Sequence, residues 1–156
     1  MLERRADDWT IVQIVNQSGG IGKSRLVQIY EDLHPDECLV LDNSPSRENF
    51  YLASLKNPDK LKTIFFHFSR AESCNADFKS IEALKDGRFN SSKFRNKRCK
   101  FSHSPHVIIF SNKKANVNGL SYRRWRIGYV EEKMSDIQWF RVNEQGEEVR
   151  MENIDV

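Results

Sequence analysis

No apolar run in this sequence approaches the ~20 consecutive residues that a bilayer-spanning helix needs. The first eight residues, Met1 to Asp8, carry charges where a secretion signal needs an apolar stretch. Together these absences imply a protein made and kept inside a cell, with no membrane partner. Cysteine is scarce: Cys38, Cys74 and Cys99 are odd in number, far apart and never in a C-x-x-C pair, which excludes a disulfide framework. Cys99, His103 and His106, with His67 added, have the residue types of a zinc site. Spacing of that kind often arises by chance, so packing and surface roles are the better reading. Prolines and glycines are few and scattered, and there is no linker, repeat or low-complexity segment. What is present is the balance of a soluble globular chain, 38% hydrophobic and 30% charged over 156 residues. That length suits one domain, which can bury roughly 70% of its unfolded surface without staples.

The net charge of +3 conceals an uneven distribution. Between Lys85 and Arg126 stand twelve lysines and arginines against a single acid, Asp86, so the rest of the chain is net acidic. Asymmetry on this scale suggests a polyanion against one face, although a basic stretch can also be a solvated surface.

Hydrophobic periodicity predicts alternating strands and helices. Residues 9–15 form a β-rich run, and apolar positions at 26, 27, 29, 30 and 33 give a helix that Pro35 ends. A strand follows at 38–41, then a helix from Ser46, read as its cap, to about Leu55. A strand at 63–68 precedes a helix around Phe78, Ile81 and Leu84 with Gly87 as its stop. The segment 89–101 is a basic β-hairpin or long loop, and strands are predicted at 106–110 and 125–130. Phe94 and Phe101, at hairpin spacing, are expected to pack inward, with base stacking the lesser alternative. Residues 138–147 suggest a final hairpin. The pattern is that of an α/β domain with a mostly parallel sheet.

The turn after the first strand, Ser18-Gly19-Gly20-Ile21-Gly22-Lys23-Ser24, has a chemistry of its own. Glycines let backbone N–H groups converge on phosphate oxygens, and the helix that begins there points its positive end at an anion. Lys23 suits β- and γ-phosphates, Ser24 can offer a hydroxyl to Mg2+, and Arg25 follows in the same turn. These residues predict a nucleoside-triphosphate site, with ATP and Mg2+ as cofactors. The first glycine of the usual eight-residue motif falls at position 17, which is Gln.

Several segments, in order, resemble the superfamily 3 helicase domain of replication-associated (Rep) proteins of small circular single-stranded DNA viruses. The family loop D-P-x-G-N-x-G-K-[ST] is matched by residues 16–24, Asn-Gln-Ser-Gly-Gly-Ile-Gly-Lys-Ser, so the glycine absent at position 17 is not expected there. The Walker B strand followed by D-h-P-R is similar to Ile64-Phe65-Phe66-His67-Phe68-Ser69-Arg70. The I-E-A-h-K-x-G and S-S-K-[FY] patterns are similar to residues 81–87 and 91–94. The motif C strand ending in Asn is similar to residues 106–112, and L-S-x-D-R-W to residues 120–125. The resemblance covers about residues 9–130, leaving 1–8 as a lead-in and 131–156 as a tail with a short hairpin.

The resemblance implies an AAA+-like P-loop NTPase with a parallel core, assembled as a ring, commonly a hexamer. It implies ATP-driven translocation on single-stranded DNA with unwinding of duplex, in the host nucleus for a virus of eukaryotes. Lys23 and Asn112 would act in catalysis, Asn112 as polar sensor, with the end of a strand as its plainer alternative. Arg124 would be the arginine finger, although Arg123 and Arg126 stand close enough in sequence to compete for that role. Lys93, Arg95, Lys97, Arg98 and Lys100 would contact the DNA backbone.

Two departures bear on turnover. His67 occupies the Walker B aspartate position, where the family would have a carboxylate holding the Mg2+ water shell, and imidazole is a poor partner for a hard, oxygen-seeking ion. Arg123 replaces the usual acid before the finger. Glu72, Asp77 and Glu82 are the candidates to supply the missing carboxylate. The alternative to a working helicase is therefore a nucleotide-dependent DNA-binding module deficient in hydrolysis. The nicking endonuclease that usually precedes this domain has no room before residue 9.

Overall fold

Along each apolar run, alternate side chains go to opposite faces, and this divides the core in two. The computed structural model describes residues 5–18, 20, 22–68, 77–114 and 116–152. In chain order these residues form β1 (Ile11–Val15), α1 (Lys23–Leu33), β2 (Cys38–Leu41), α2 (Ser46–Ser54), β3 (Thr63–His67) and α3 (Phe78–Asp86). They continue with β4 (Arg88–Ser91), β5 (Lys97–Lys100), β6 (His106–Ser111), β7 (Trp125–Tyr129), β8 (Gln138–Val142) and β9 (Glu148–Arg150). A seven-stranded sheet runs in the order β2-β3-β6-β1-β7-β8-β9. Its first five strands are mutually parallel, while β8 and β9 add an antiparallel ribbon at one edge. The expected α/β class with a mostly parallel sheet is what forms, and the tail extends that same sheet.

One face of the sheet buries Ile11, Ile64, Phe66, Val107, Ile109 and Ile127, in one cluster with Ala53 of α2 and Ile81 and Leu84 of α3. The other buries Ile14, Phe65, Ile108 and Phe110, in one cluster with Val27 and Tyr30 of α1. Helices on both faces are what keep strands buried on both sides free of water.

Several local expectations need correction. Ser46 is the first residue of α2 and not its cap; Pro45 holds that position, and no side chain caps the helix. Trp9 lies outside β1, is 45% exposed, and lays its ring over the Arg124 guanidinium at 4.1 Å. Asp77 caps α3 by accepting from the Ser80 N–H, a cap the apolar pattern did not reveal. Gly87 does end α3, in the left-handed conformation at φ 75°. The basic segment is a hairpin, β4–β5, in which Phe101 is buried as expected. Phe94 is not: it sits between the two strands at φ 68° and is 80% exposed.

Candidate functional site

Parallel strands end on one common edge, so the residues that follow each strand become neighbours however far apart they are in sequence. The turn after β1 carries Gly20 and Gly22, both at φ 81°, a region that residues with a Cβ seldom enter. Gly22 caps α1, and its carbonyl accepts from the Leu26 N–H at 2.9 Å. No side chain caps this helix and no acid stands in its first turn, which leaves the positive end suited to an anion.

The turn is fastened to the exit of β7. The amide of buried Asn16 donates to the carbonyls of Val130 at 2.8 Å and Glu131 at 3.2 Å, and the Ser18 hydroxyl donates to the Glu131 carbonyl at 3.0 Å. On the other side, the Gln13 amide donates to Ser111 Oγ at 2.9 Å, which ties β1 to the end of β6.

Four of the expected site residues come together here in two pairs. Lys23 Nζ donates to the Ser111 carbonyl at 3.1 Å and to Asn112 Oδ1 at 3.3 Å. Ser24 Oγ lies 3.4 Å from His67 Nε2. Arg25 is exposed on α1. Gly19, Ile21, Ser69, Arg70, Glu72 and Cys74 lie outside the described residues.

Among the described residues, the pair at Ser24 and His67 differs from the all-oxygen shell of Mg2+, the ion the family resemblance implies. That ion takes an octahedron of oxygens at about 2.0–2.1 Å and dehydrates reluctantly. Beside the Ser24 hydroxyl stands an imidazole nitrogen. Of the acids expected to compensate, Asp77 caps α3, and Glu82 lies 3.7 Å from Arg124 Nε. Among the described residues, no three of His, Cys, Asp and Glu gather into a metal-binding group.

Arg124 is not placed as a finger. It is 6% exposed, its Nη2 donates to Asp86 at 2.9 Å, and its guanidinium lies under the Trp9 ring. The guanidinium is thus engaged within its own chain. Arg123 is exposed, with its Nε donating to the Tyr122 hydroxyl at 2.9 Å. Arg126 is half-buried on β7, and its Nε has no acceptor among the described residues.

On the β7 side of the glycine turn a cavity of about 560 Å³ opens, lined by Val15, Gln17, Ser18, Tyr129, Glu131 and Phe140 among others. Burial and the hydrogen bond to Glu148 push the Tyr129 hydroxyl well above its ordinary range, so it is a neutral donor at physiological pH. This cavity could not be read from the sequence, because β8 was not known to lie against β7.

The hairpin divides its cations between two uses. Lys93 pairs with Glu48 on α2 and lies near the rings of Tyr51 and Phe94, while Lys97 Nζ donates to the Ser54 carbonyl at 3.3 Å. These two contacts dock the hairpin on α2. Arg95, Arg98 and Lys100 are exposed. Arg88 stands directly opposite Lys100, and Asn90 opposite Arg98. Like charges facing each other across a hairpin are unfavourable without an anion between them. A shallow cavity of about 460 Å³ runs along Arg88, Asn90, Arg98 and Lys100. Arg88 was overlooked as a site residue, although its place in the basic stretch was the available signal.

No helix among the described residues is long and apolar enough to cross a membrane. No family model matches the chain, and no curated protein does. Among solved structures, the chain is similar to one described as the A form apo structure of the NrS-1 C-terminal region. The TM-score is 0.49 at 15% identity, over 83% of this chain and 30% of that one.

Proposed function

We propose that this chain is a P-loop nucleotide-binding module of the Rep-helicase type that grips single-stranded DNA and hydrolyses ATP poorly or not at all. The observation that carries this reading is the pairing of Lys23 with Asn112 and of Ser24 with His67 at the uncapped start of α1. A nucleotide's phosphates would take the N–H groups of the glycine turn, and Lys23 would leave Asn112 for the β- and γ-phosphates. Because β3 and β6 lie on one side of β1 and β7 on the other, the terminal phosphate would face His67 and Asn112. The base would face the cavity at Tyr129 and Phe140.

Weak turnover is favoured by the imidazole at the metal position and by the internal engagement of Arg124. On the hairpin, Arg88, Arg95, Arg98 and Lys100 supply cations for a phosphate backbone without reading its sequence. The second reading is a turnover-competent helicase working as a ring of identical chains, a hexamer by family resemblance. Asn112, held at 3.3 Å from Lys23, favours it, and Arg123 then takes the finger role in place of Arg124.

The test is binding of a fluorescent ATP analogue together with ATP hydrolysis, each with and without single-stranded DNA. The first reading expects binding that Lys23→Ala abolishes, with little turnover. DNA-stimulated turnover lost in Lys23→Ala would select the second. Failure of the wild-type chain to bind nucleotide would sink both.

A further inference from the structure

Resting on the nucleotide-binding reading above, we propose that the divalent cation bound with the nucleotide at this site is a transition metal of the Co2+–Zn2+ class. Its ligands would be Ser24 Oγ, His67 Nε2 and phosphate oxygens. The two side-chain donors come from different elements, the first turn of α1 and the last residue of β3. They stand 3.4 Å apart. Two donors each bonded at about 2.1 Å to one ion are separated by about 3.0–3.4 Å, the spacing these two atoms already have.

The imidazole is carried by a strand and not by a free loop. His67 is in register with Phe110 of β6, and the next residue, Phe68, donates its N–H to the Phe110 carbonyl at 3.0 Å. The ring is therefore presented from a fixed backbone. Neutral imidazole is a borderline donor that suits Co2+, Ni2+ and Zn2+, while Mg2+ prefers an all-oxygen shell. Phosphate oxygens and water would complete the shell of either ion. The His67 nitrogen is the donor that favours the transition metal.

The experiment titrates a fluorescent, non-hydrolysable ATP analogue into the full chain in EDTA, in Mg2+ and in Co2+. Co2+ is expected to tighten binding about tenfold or more over both other conditions, a difference of at least about 1.4 kcal/mol. His67→Ala should lose the Co2+ gain when its affinity in Co2+ is compared with its own affinity in EDTA, and His67→Asp should transfer the gain to Mg2+. The Co2+ visible absorption should change on nucleotide addition in the wild-type chain and not in His67→Ala. Equal affinity in Co2+ and Mg2+, or a Co2+ gain that survives in His67→Ala, would overturn the proposal while leaving nucleotide binding intact. No binding under any condition, with Lys23→Ala indistinguishable from wild type, would overturn the nucleotide reading itself.

Discussion

Arg123 and Arg124 are adjacent in the chain but have opposite surroundings, and their substitutions should separate. Arg124 joins Asp86, Glu82 and Trp9 across three segments, so Arg124→Ala leaves a buried gap and removes the cation from its acids. A loss of about 1–3 kcal/mol in stability is expected, read as a lower melting temperature, while Arg123→Ala should leave it unchanged. Phe94 presents an exposed ring beside Arg95, at a backbone angle that non-glycine residues seldom adopt. We expect Phe94→Ala to weaken single-stranded DNA binding by about 1 kcal/mol or more without lowering the melting temperature, as base–aromatic stacking does elsewhere. Unchanged affinity would make the ring ordinary surface.

Asp7 ties the start of the chain down, and it gives a signed pH dependence. Burial raises its pKa, but bonds from Thr10 and Trp9 and the charge of Lys85 together outweigh burial, leaving it below the ordinary value of 3.8. A carboxylate with a depressed folded pKa stabilises above its unfolded value, and that contribution is lost as pH falls through the folded one. Wild type should therefore melt higher than Asp7→Asn near neutral pH. The gap should close progressively below pH 3.8. A gap that persisted in acid would show that Asp7 acts through shape and not charge.

At the scale of elements, α1 and the β4–β5 hairpin each present a local conformation to a proposed site. The start of α1 depends on Gly22 at φ 81°, so Gly22→Ala should cost about 1 kcal/mol in stability and weaken nucleotide binding as the turn reshapes. The hairpin's contribution to DNA binding should be electrostatic and additive in charge. Replacing Arg88, Arg98 and Lys100 together by Gln should reduce the slope of log affinity against log salt by about 2, at roughly 0.7 per phosphate contact on a single strand. The same exchange at Lys93 and Lys97 should act mainly on the docking of the hairpin to α2, because Glu48 and Ser54 hold those side chains.

At the scale of the molecule, the strand order brings four chain-distant turns to one edge while leaving part of α1 uncovered. Leu26, Ile29 and Leu33 are 45–70% exposed along one stripe of α1. Such a stripe is consistent with the proposed ring of identical chains. Sedimentation with nucleotide and single-stranded DNA should show assembly that Ile29→Glu reduces. A monomer under every condition would remove the ring from the reading.

The sequence by itself determined the elements and the chemistry of the glycine turn, because both depend on short-range spacing. Apolar alternation marks β3 and β6, the 3.6-residue period marks α1, and Gly, Lys and Ser at the start of a helix mark a candidate anion site locally. It also brought Lys23, Ser24, His67 and Asn112 into consideration, through the order of motifs along the chain. Only the tertiary structure decided their company. Whether Asn112 meets Lys23, whether an imidazole or a carboxylate stands beside Ser24, and which of two adjacent arginines is buried depend on strands separated by tens of residues in sequence. Lys93 and Lys97 looked like Arg98 and Lys100 in the sequence, and only the packing of the hairpin on α2 divides them. The cavity at Tyr129 and Phe140 was equally illegible, because it exists only where an antiparallel ribbon closes against the edge of a parallel sheet.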